Sequence, residues 1–231
     1  VYTEKRRRAL LDVLSGTDII LIEDDAYGDL YFDPMDQLLT RPLKSYDGYD
    51  VEIIYTGSFS KILGPGFRLG YMLSSPEIFD KAESIKQALD ACTSNFMQIL
   101  ANEFLVGGYL EPYLKFLRQE YGERKKILQQ SLKKHMPKSI QWVEPKGGFY
   151  MWLSLPDQVK ATCVFADCLK KGVVFVTGRT FDPDNVNDDH LRLSFSNMPK
   201  DTIEKGVVLL SRVIKHHIQK AETLEFSRQI R

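Results

Sequence analysis

With 231 residues and 43% hydrophobic content, the chain is long enough to bury a sizeable core, as one large domain or two small ones. Its 31 basic and 31 acidic residues give a formal net charge of zero, which argues against a nucleic-acid partner recognised by bulk charge. Three cysteines without metal-ligand spacing, and no apolar run of membrane-spanning length, predict reduced thiols, a cytoplasmic location, and neither a metal nor a membrane partner.

The first predicted element is a helix over residues 3–15, with apolar residues on one face and Gly16 as its stop signal. The opening residues VYTEKRRRALLDVLSG read as a helix that is already under way, and the chain begins with Val1 rather than Met. We therefore expect the sequence to be a fragment whose upstream part is missing.

Three strands are predicted next. The apolar run 19–22 is short and uninterrupted, which is typical of a strand covered on both faces. A polar loop over residues 32–49 leads to the second strand, VEIIYTGSFS. The third strand, FRLGYMLS, follows a Gly-Pro-Gly turn.

Helical patterns then occupy residues 76–90, 95–106 and 110–136, and the last of these is the expected connector between two lobes. Beyond it, IQWVEP, GGFYMWLSL, GVVFVTG and HLRLSFS have the texture of short strands, with a helix near 158–171 among them. A final helix is predicted from Asp201, as N-cap, to His217. This order favours an α/β body followed by a smaller α+β lobe.

Acidic side chains follow the first predicted strand at its carboxyl end. Ligands of open α/β sheets bind outside this end of the strands. At least one of Glu23, Asp24 and Asp25 is therefore expected to point into a crevice. The alternative is that these acids cap a helix or face water.

A lysine ends the second predicted strand. Period-two alternation places Ser58 and Ser60 on one face and Lys61 at the tip. Burial would lower the pKa of a lysine toward the range in which its free amine attacks a carbonyl and forms an imine. The alternative is a solvated loop lysine.

Arg68 stands seven residues after Lys61, beyond the glycine-rich loop. The loop glycines permit close approach of the backbone to a ligand, and Pro65 stiffens the turn. Together with Ser58 and Ser60, the guanidinium offers donors suited to a phosphate. The alternative is a surface arginine at the beginning of a strand.

Arg192 lies in HLRLSFS, where apolar residues alternate with polar ones. Leu191, Leu193 and Phe195 share one face, and Arg192 lies on the other. Arg192 is a candidate clamp for a carboxylate, or else one polar residue of a half-solvated strand.

In this order, EDDAY, SFSKILGPGFRLGY, EPKGGFYMW, GVVFVTGRTF and HLRLSFSN resemble the fold-type I, pyridoxal-phosphate-dependent aminotransferases of class I/II, in particular the aminoadipate, aromatic and kynurenine aminotransferases. The resemblance implies an α/β fold and only the C-terminal half of such an enzyme. Residues 1–115 would form the C-terminal part of the large domain that binds pyridoxal phosphate, with a mostly parallel sheet and helices. Residues 116–231 would form the smaller α+β C-terminal domain, entered by the long connecting helix.

The resemblance also implies roles for individual residues. Asp24, three residues before Tyr27, matches the aspartate that pairs with the pyridine nitrogen of the cofactor, and Tyr27 matches the phenol that binds its ring oxygen. Lys61 matches the Schiff-base lysine, which is the catalytic general base and acid.

The remaining matches concern the two anionic groups. Ser58 and Arg68 match the pair that holds the cofactor phosphate, with Ser60 a weaker candidate, and Arg192 matches the arginine that binds the substrate α-carboxylate. The implied reaction moves an amino group between an L-amino acid and a 2-oxo acid, with 2-oxoglutarate the expected acceptor, in two alternating stages.

The family's phosphate-binding turn, ring-stacking aromatic residue and Asn-Pro-Thr-Gly motif are not in this sequence. The fragment alone is therefore expected to bind the cofactor poorly. A homodimer is expected because active sites of the family lie at a dimer interface. The amino donor is left open.

Three alternatives stay open. Some transcription regulators join a DNA-binding domain to an aminotransferase-like domain that senses pyridoxal phosphate, and only in that case is nucleic acid an expected partner. The second alternative is a lyase or cyclising synthase on the same fold. The third is a structural homologue without activity.

Overall fold

The computed structural model describes residues 2–229, with side chains described as far as residue 224. The chain divides into two compact units. Unit 1 comprises Val1–Gln119 and Lys146–Gly148, and unit 2 comprises Glu120–Pro145 and Phe149–Arg231. The change from one unit to the other falls after Gln119, within a long helix, and the predicted domain boundary lies after residue 115. Among the described residues, none of the helices has the length and apolarity needed to cross a bilayer.

Unit 1 begins with helix α1 (Glu4–Leu14), which confirms the first predicted helix. The Thr3 side chain caps its N-terminus by accepting a hydrogen bond from the Arg6 amide at 3.4 Å. The helix contributes Leu11, which is fully buried, to a cluster with Leu43, Tyr46 and Ile53. The sheet of unit 1 packs against this cluster.

The sheet of unit 1 has three strands in the order β1-β2-β3. Strand β1 (Leu21–Asp25) runs parallel to β2 (Ile53–Ser58), which is antiparallel to β3 (Gly70–Leu73). The expectation of a mostly parallel sheet therefore holds for one of its two pairings. Two 3-10 helices, Pro34–Thr40 and Leu43–Ser45, lie in the predicted loop between β1 and β2.

The predicted burial of the first strand is wrong. The strand begins at Leu21, and Ile19, Ile20 and Ile22 are 57%, 51% and 66% exposed. Successive residues of a strand point to opposite faces, and only the face that bears Leu21 packs on the cluster around Leu11. The opposite face of β1, which bears Ile22 and Asp24, is exposed.

Three helices complete unit 1 along the chain: α2 (Pro76–Asp90), α3 (Asn95–Val106) and α4 (Leu110–His135), and their predicted bounds are confirmed to within one residue. Proline is the first residue of α2, where its missing amide hydrogen is not needed. Helix α4 begins in unit 1 and continues into unit 2.

The sheet of unit 2 is antiparallel and has the order β4-β5-β7-β6. Its strands are β4 (Gln141–Trp142), β5 (Tyr150–Ser154), β6 (Val176–Thr177) and β7 (His190–Ser194). The predicted alternation is confirmed, because one face of the central strands is buried almost completely; its residues are Met151, Leu153, Leu191 and Leu193.

Helices α5 (Ala161–Leu169) and α6 (Lys200–Gln229) pack against each other in unit 2. The predicted bounds of the final helix are wrong. Asp201 lies inside its first turn, where its charge complements the helix dipole, rather than at the N-cap. No glycine or proline follows His217 before Gln229, so nothing in the sequence stops the helix there.

Candidate active site

The parallel strands β1 and β2 bring their carboxyl ends to the same edge of the unit 1 sheet. In their register Asp24 lies opposite Thr56 and Asp25 lies opposite Gly57. Asp24 is exposed, and Thr56 Oγ1 lies 3.5 Å from its Oδ1. Asp24 therefore presents a carboxylate on the open face of the sheet, where a ligand can reach it.

The other two acids of EDDAY have internal partners. The Glu23 carboxylate accepts hydrogen bonds from the amides of Leu43 and Lys44, at 2.8 and 3.2 Å. The Asp25 carboxylate accepts from the Gly28 amide at 2.7 Å and from the Tyr55 hydroxyl at 3.0 Å. Of the three acids, Asp24 is therefore the one oriented for a ligand.

Lys61 lies beside Tyr27. Tyr27 is half-buried in the turn after β1, and Lys61 Nζ lies 5.8 Å from the centroid of its ring. Lys61 is itself half-buried at the end of the 3-10 helix Phe59–Lys61. The tips of two neighbouring strands thus place an amine next to a phenol.

The predicted alternation of Ser58 and Ser60 is wrong because β2 ends at Ser58. The chain turns there into the 3-10 helix, and the Ser58 hydroxyl caps it by accepting a hydrogen bond from the Ser60 amide at 3.1 Å. A hydroxyl that accepts one hydrogen bond can still donate one, and Lys61 is the last residue of this 3-10 helix.

The glycine-rich loop closes at its base, where the Phe59 amide donates to the Leu69 carbonyl at 3.0 Å. Ser58 faces Gly70, two residues after Arg68, so the sheet register brings both ends of the loop together. Arg68 precedes β3 rather than beginning it. It adopts the left-handed conformation, with φ of 49°, and its exposed guanidinium makes a long contact of 3.4 Å with the Pro65 carbonyl.

These groups fit a phosphate-bearing aldehyde with a protonated ring nitrogen. An amine, a phenol and an exposed carboxylate lie at the strand tips, and a serine hydroxyl and a guanidinium flank the loop. Each group has a matching partner on pyridoxal phosphate: the amine for its aldehyde, the carboxylate for its pyridinium, and the loop donors for its phosphate. Within residues 2–229 no group of three or more histidines, cysteines or acids is placed to hold a metal ion.

Arg192 occupies the middle of β7 in unit 2, between Trp152 on β5 and Val176 on β6. Its guanidinium carbon lies 4.0 Å from the ring centroid of Tyr150 and 4.8 Å from that of Phe181. The guanidinium lies against both rings, while its buried Nε has no hydrogen-bond partner among the described residues. A buried donor of this kind suits a planar anion such as a carboxylate.

Sequence reasoning missed Thr56, Tyr55 and the structural role of Asp25. The spacing of Asp25 and Gly28 is a turn signal that was available, since aspartate side chains often accept hydrogen bonds from nearby amides. The bond from Tyr55 joins residues 30 positions apart, which no local pattern reports.

The family model of Aminotransferase class I and II matches residues 1–210. The chain belongs to this family. Membership confirms the predicted family and the α/β fold class, and with them pyridoxal 5'-phosphate as the cofactor that the family implies.

Among the relatives, aromatic-amino-acid aminotransferase 1 of Thermococcus litoralis is 34% identical over 94% of this chain and 51% of its own length. The 2-aminoadipate transaminase of Thermus thermophilus is 34% identical over 90% of this chain and 52% of its own length. The crystal structure of a multiple substrate aminotransferase from Thermococcus profundus superimposes with a TM-score of 0.89 at 31% identity, over 95% of this chain and 54% of that one. The chain thus spans about half the length of the relatives that it matches.

A different class of relative is also similar. An uncharacterised HTH-type transcriptional regulator of Bacillus subtilis, YisV, is 31% identical over 90% of this aminotransferase-family chain and 42% of its own length. The similarity of both classes means that family membership alone does not separate an enzyme from a sensor domain.

Proposed function

We propose that the full-length protein is a cytoplasmic, pyridoxal-phosphate-dependent aminotransferase that moves an amino group between an L-amino acid and a 2-oxo acid, with 2-oxoglutarate as acceptor. The observation that carries this proposal is the position of Lys61 beside Tyr27, at the edge of the sheet where Asp24 exposes its carboxylate. In this proposal unit 1 is the C-terminal part of the cofactor domain and unit 2 is the small domain; the first stretch of unit 1 ends at Gln119, close to the predicted boundary after residue 115.

Lys61 is assigned to the covalent attachment of the cofactor. Its amine would hold the cofactor by condensing with the aldehyde, with water as the leaving group. Bound pyridoxal phosphate supplies an electron sink that acidifies the α-hydrogen of an amino acid. Lys61 Nζ would take that proton and later return it as a general acid.

Asp24 and Tyr27 tune the cofactor ring. The exposed carboxylate of Asp24 pairs with the pyridine nitrogen and favours its protonated form, because an adjacent negative charge stabilises a cation. The phenol of Tyr27 donates to the ring oxygen. The short turn from Asp24 to Tyr27 would let one strand end supply a partner both for the ring nitrogen and for the ring oxygen.

The phosphate is assigned to Ser58 and Arg68. Both lie at the base of the glycine-rich loop, in the register that pairs Ser58 with Gly70. Ser60 has the weaker role, because its amide is already bonded to Ser58. An arginine fork grips a phosphate through two parallel hydrogen bonds, which a lysine cannot reproduce.

Arg192 binds the α-carboxylate of both substrates. Its stacking on Tyr150 and Phe181 and its unpartnered Nε support this role. Because one site serves the amino acid and then the 2-oxo acid, the kinetics follow a ping-pong scheme. The protein is proposed to act as a homodimer, as the family resemblance implies.

A sensor domain of a transcription regulator is the second candidate, and the similarity to the Bacillus subtilis regulator supports it. Such a domain needs to bind the cofactor but does not need turnover. Turnover by the full-length protein therefore distinguishes the two candidates.

The test measures the rate with a panel of amino donors, including aromatic amino acids and 2-aminoadipate, against 2-oxoglutarate, using the full-length protein. We expect turnover with parallel double-reciprocal lines. Lys61→Ala should lower kcat by roughly 10²- to 10⁴-fold or more, because a positioned general base contributes at least this much. Lys81→Ala is the matched control, since Lys81 is exposed on α2 and pairs with Glu77.

Two results would contradict the assignment. Near-native turnover by Lys61→Ala would remove Lys61 from the reaction. Cofactor binding by the wild type without turnover on any donor would favour the regulator instead.

A further inference from the structure

We propose that Asp25 and Tyr55 form a positioning pair, which holds the turn that carries Tyr27 against the strand that leads to Lys61. This inference rests on the proposed function, because it assigns the pair to the placement of Tyr27 toward the cofactor. Neither residue is assigned to touch the cofactor or the substrate.

The first half of the argument is the turn after β1. Asp25 Oδ1 accepts the Gly28 amide hydrogen at 2.7 Å, and the Leu30 amide donates to the Tyr27 carbonyl at 2.9 Å. The first bond bridges the segment that contains Tyr27, and the second restrains the Tyr27 carbonyl. The backbone that places its phenol is therefore fixed by the Asp25 carboxylate.

The second half is the link to β2. Asp25 Oδ2 accepts the hydroxyl hydrogen of Tyr55 at 3.0 Å. Tyr55 lies three residues before Ser58 on the strand that ends at the turn of Lys61, and it pairs with Glu23 across the sheet. One carboxylate thus connects the turn of Tyr27 with the strand of Lys61.

Position 28 shows how little space this arrangement leaves. A Cβ added to Gly28 would overlap the carboxylate of Asp25, whose oxygens already have their two donors. Any side chain at position 28 would therefore displace Asp25 or open the turn. Glycine is required there by contact, since its backbone φ is not in the left-handed region.

The surrounding groups keep the Tyr55 hydroxyl protonated, so that it remains a hydrogen-bond donor. Burial, followed by the negative charge of Asp25, raises the pKa of Tyr55 well above its ordinary value of 10.0. Among the described residues, the titratable groups Tyr71 and Asp29 also face the pair, and burial together with Asp25 raises the pKa of Asp29 above 3.8. Tyr55 therefore stays protonated at every pH at which the enzyme is assayed.

The pair also lines a cavity of about 300 Å³, together with Ser58, Phe59 and Leu105. Because open space lies beside the two side chains, loss of the Tyr55 hydroxyl leaves Asp25 room to move. The expected result of that loss is a displaced Tyr27 rather than a collapsed core.

The experiment uses the full-length protein loaded with pyridoxal phosphate. Tyr55→Phe removes one hydroxyl, and Tyr46→Phe is the matched control, because the Tyr46 hydroxyl also bonds a carboxylate, that of Glu4, in the same unit. The readouts are the pH midpoint of the absorbance change of the cofactor bound to Lys61, and hydrogen exchange of the Gly28 amide in the protein without cofactor.

We expect Tyr55→Phe to move the absorbance midpoint by about half a pH unit or more in the direction of Tyr27→Phe, since a midpoint reports the hydrogen bonds of the ring oxygen. The double variant Tyr27→Phe/Tyr55→Phe should shift it no further than Tyr27→Phe alone, because the pair acts through Tyr27. Gly28 amide exchange should be faster by at least about tenfold in Tyr55→Phe and unchanged in Tyr46→Phe. Asp25→Ala should behave as Tyr55→Phe does, and Asp25→Asn should recover part of the midpoint.

The outcomes that overturn the inference are specific. Equal midpoints in Tyr55→Phe and the wild type, or shifts of Tyr27→Phe and Tyr55→Phe that add in full, would remove the positioning role while leaving the proposed function intact. Absence of any Lys61-dependent absorbance in the wild type would instead refute the proposed function and this inference with it. If Tyr55→Phe does not fold, Asp25→Asn and Asp25→Ala carry the same measurements.

Discussion

The sheets of the two units differ in how completely their apolar side chains are buried. In unit 2, Leu153 and Leu191 are 0% exposed on adjacent strands. In unit 1, Ile22 and Leu73 are 66% and 54% exposed, although they also lie in strands. An alternating pattern therefore shows which face of a strand needs a covering layer, while burial depends on whether such a layer packs there.

The exposed face of strand β1 also bears a residue of the proposed site. Ile22 and Asp24 alternate with the half-buried residues of β1, so the proposed partner of the cofactor nitrogen shares the uncovered face. Arg192 in unit 2 lies instead within a packed sheet and is held by aromatic rings. Unit 1 thus offers its groups from strand ends, and unit 2 from the middle of a strand.

The largest expected effect comes from deleting the same side chain in the two sheets. Leu153→Ala should lower the free energy of unfolding of unit 2 by about 2–5 kcal/mol, because it leaves a cavity in a closed core. Leu73→Ala should lower that of unit 1 by no more than about 1 kcal/mol, since the side chain is already half in water. Urea unfolding of the 231-residue chain, followed by hydrogen exchange in each unit, checks both values. Equal losses in the free energy of unfolding would show that the two sheets do not differ in this respect.

An intermediate effect is expected at Arg192, the proposed carboxylate-binding residue of unit 2. Arg192→Lys should raise KM for the amino donor by about tenfold or more, because a hydrogen bond to a charged group contributes about 1.5–3 kcal/mol. Cofactor affinity should change little. Arg179→Lys, at an exposed position of the same unit, is the control for loss of a guanidinium.

Steady-state kinetics and cofactor titration of the full-length protein give the two quantities separately. Equal losses in KM and in cofactor affinity would assign Arg192 to the packing of the sheet. Arg192 would then be a structural residue, and the proposed difference in how the two units present functional groups would not hold.

The smallest effect concerns surface carboxylates. Hydrogen bonds from His135 and Lys134 hold the pKa of Glu204 in unit 2 below 4.5, and a hydrogen bond from Lys81 does the same for Glu77 in unit 1. A depressed folded-state pKa stabilises the fold above the unfolded-state pKa, and this stabilisation is lost as pH falls below about 4.5.

Glu204→Gln should therefore reduce the fall in Tm between about pH 6 and about pH 3, and Glu77→Gln should reduce it less, because its partner lies only four residues away. Thermal unfolding at both pH values measures the difference. A larger effect on Tm of Glu77→Gln than of Glu204→Gln would contradict the expectation that the ion pair of unit 2 contributes more to stability.

The sequence predicts well what depends on neighbouring residues. The bounds of α2 and α3 follow from proline at the first position of α2 and from the glycines after Val106, which act within one helical turn. The predicted end of α6 at His217 is too early, because no stop signal follows that residue and the helix continues to Gln229. Local sequence patterns therefore predict where helices lie, and the predicted helix ends are wrong where the local stop signal is weak.

The residue types of the candidate site were read from motifs, whereas its geometry required the structure. The 3-10 turn after Ser58 ended the expected alternation, so Ser60 and Lys61 are placed by a cap and not by a strand. The bond between Asp25 and Tyr55 spans 30 residues, and it depends on strand pairing that the sequence does not display.

Arg68 has a consequence for protein engineering. A non-glycine residue in the left-handed conformation costs about 1–2 kcal/mol relative to an ordinary backbone, and Arg68 has φ of 49°. A library screened for thermal stability would therefore enrich Arg68→Gly, which relieves this cost. The same variant lacks the guanidinium assigned to the cofactor phosphate, so a screen for turnover would discard it. Selection for robustness and selection for catalysis thus oppose each other at this single position of the loop.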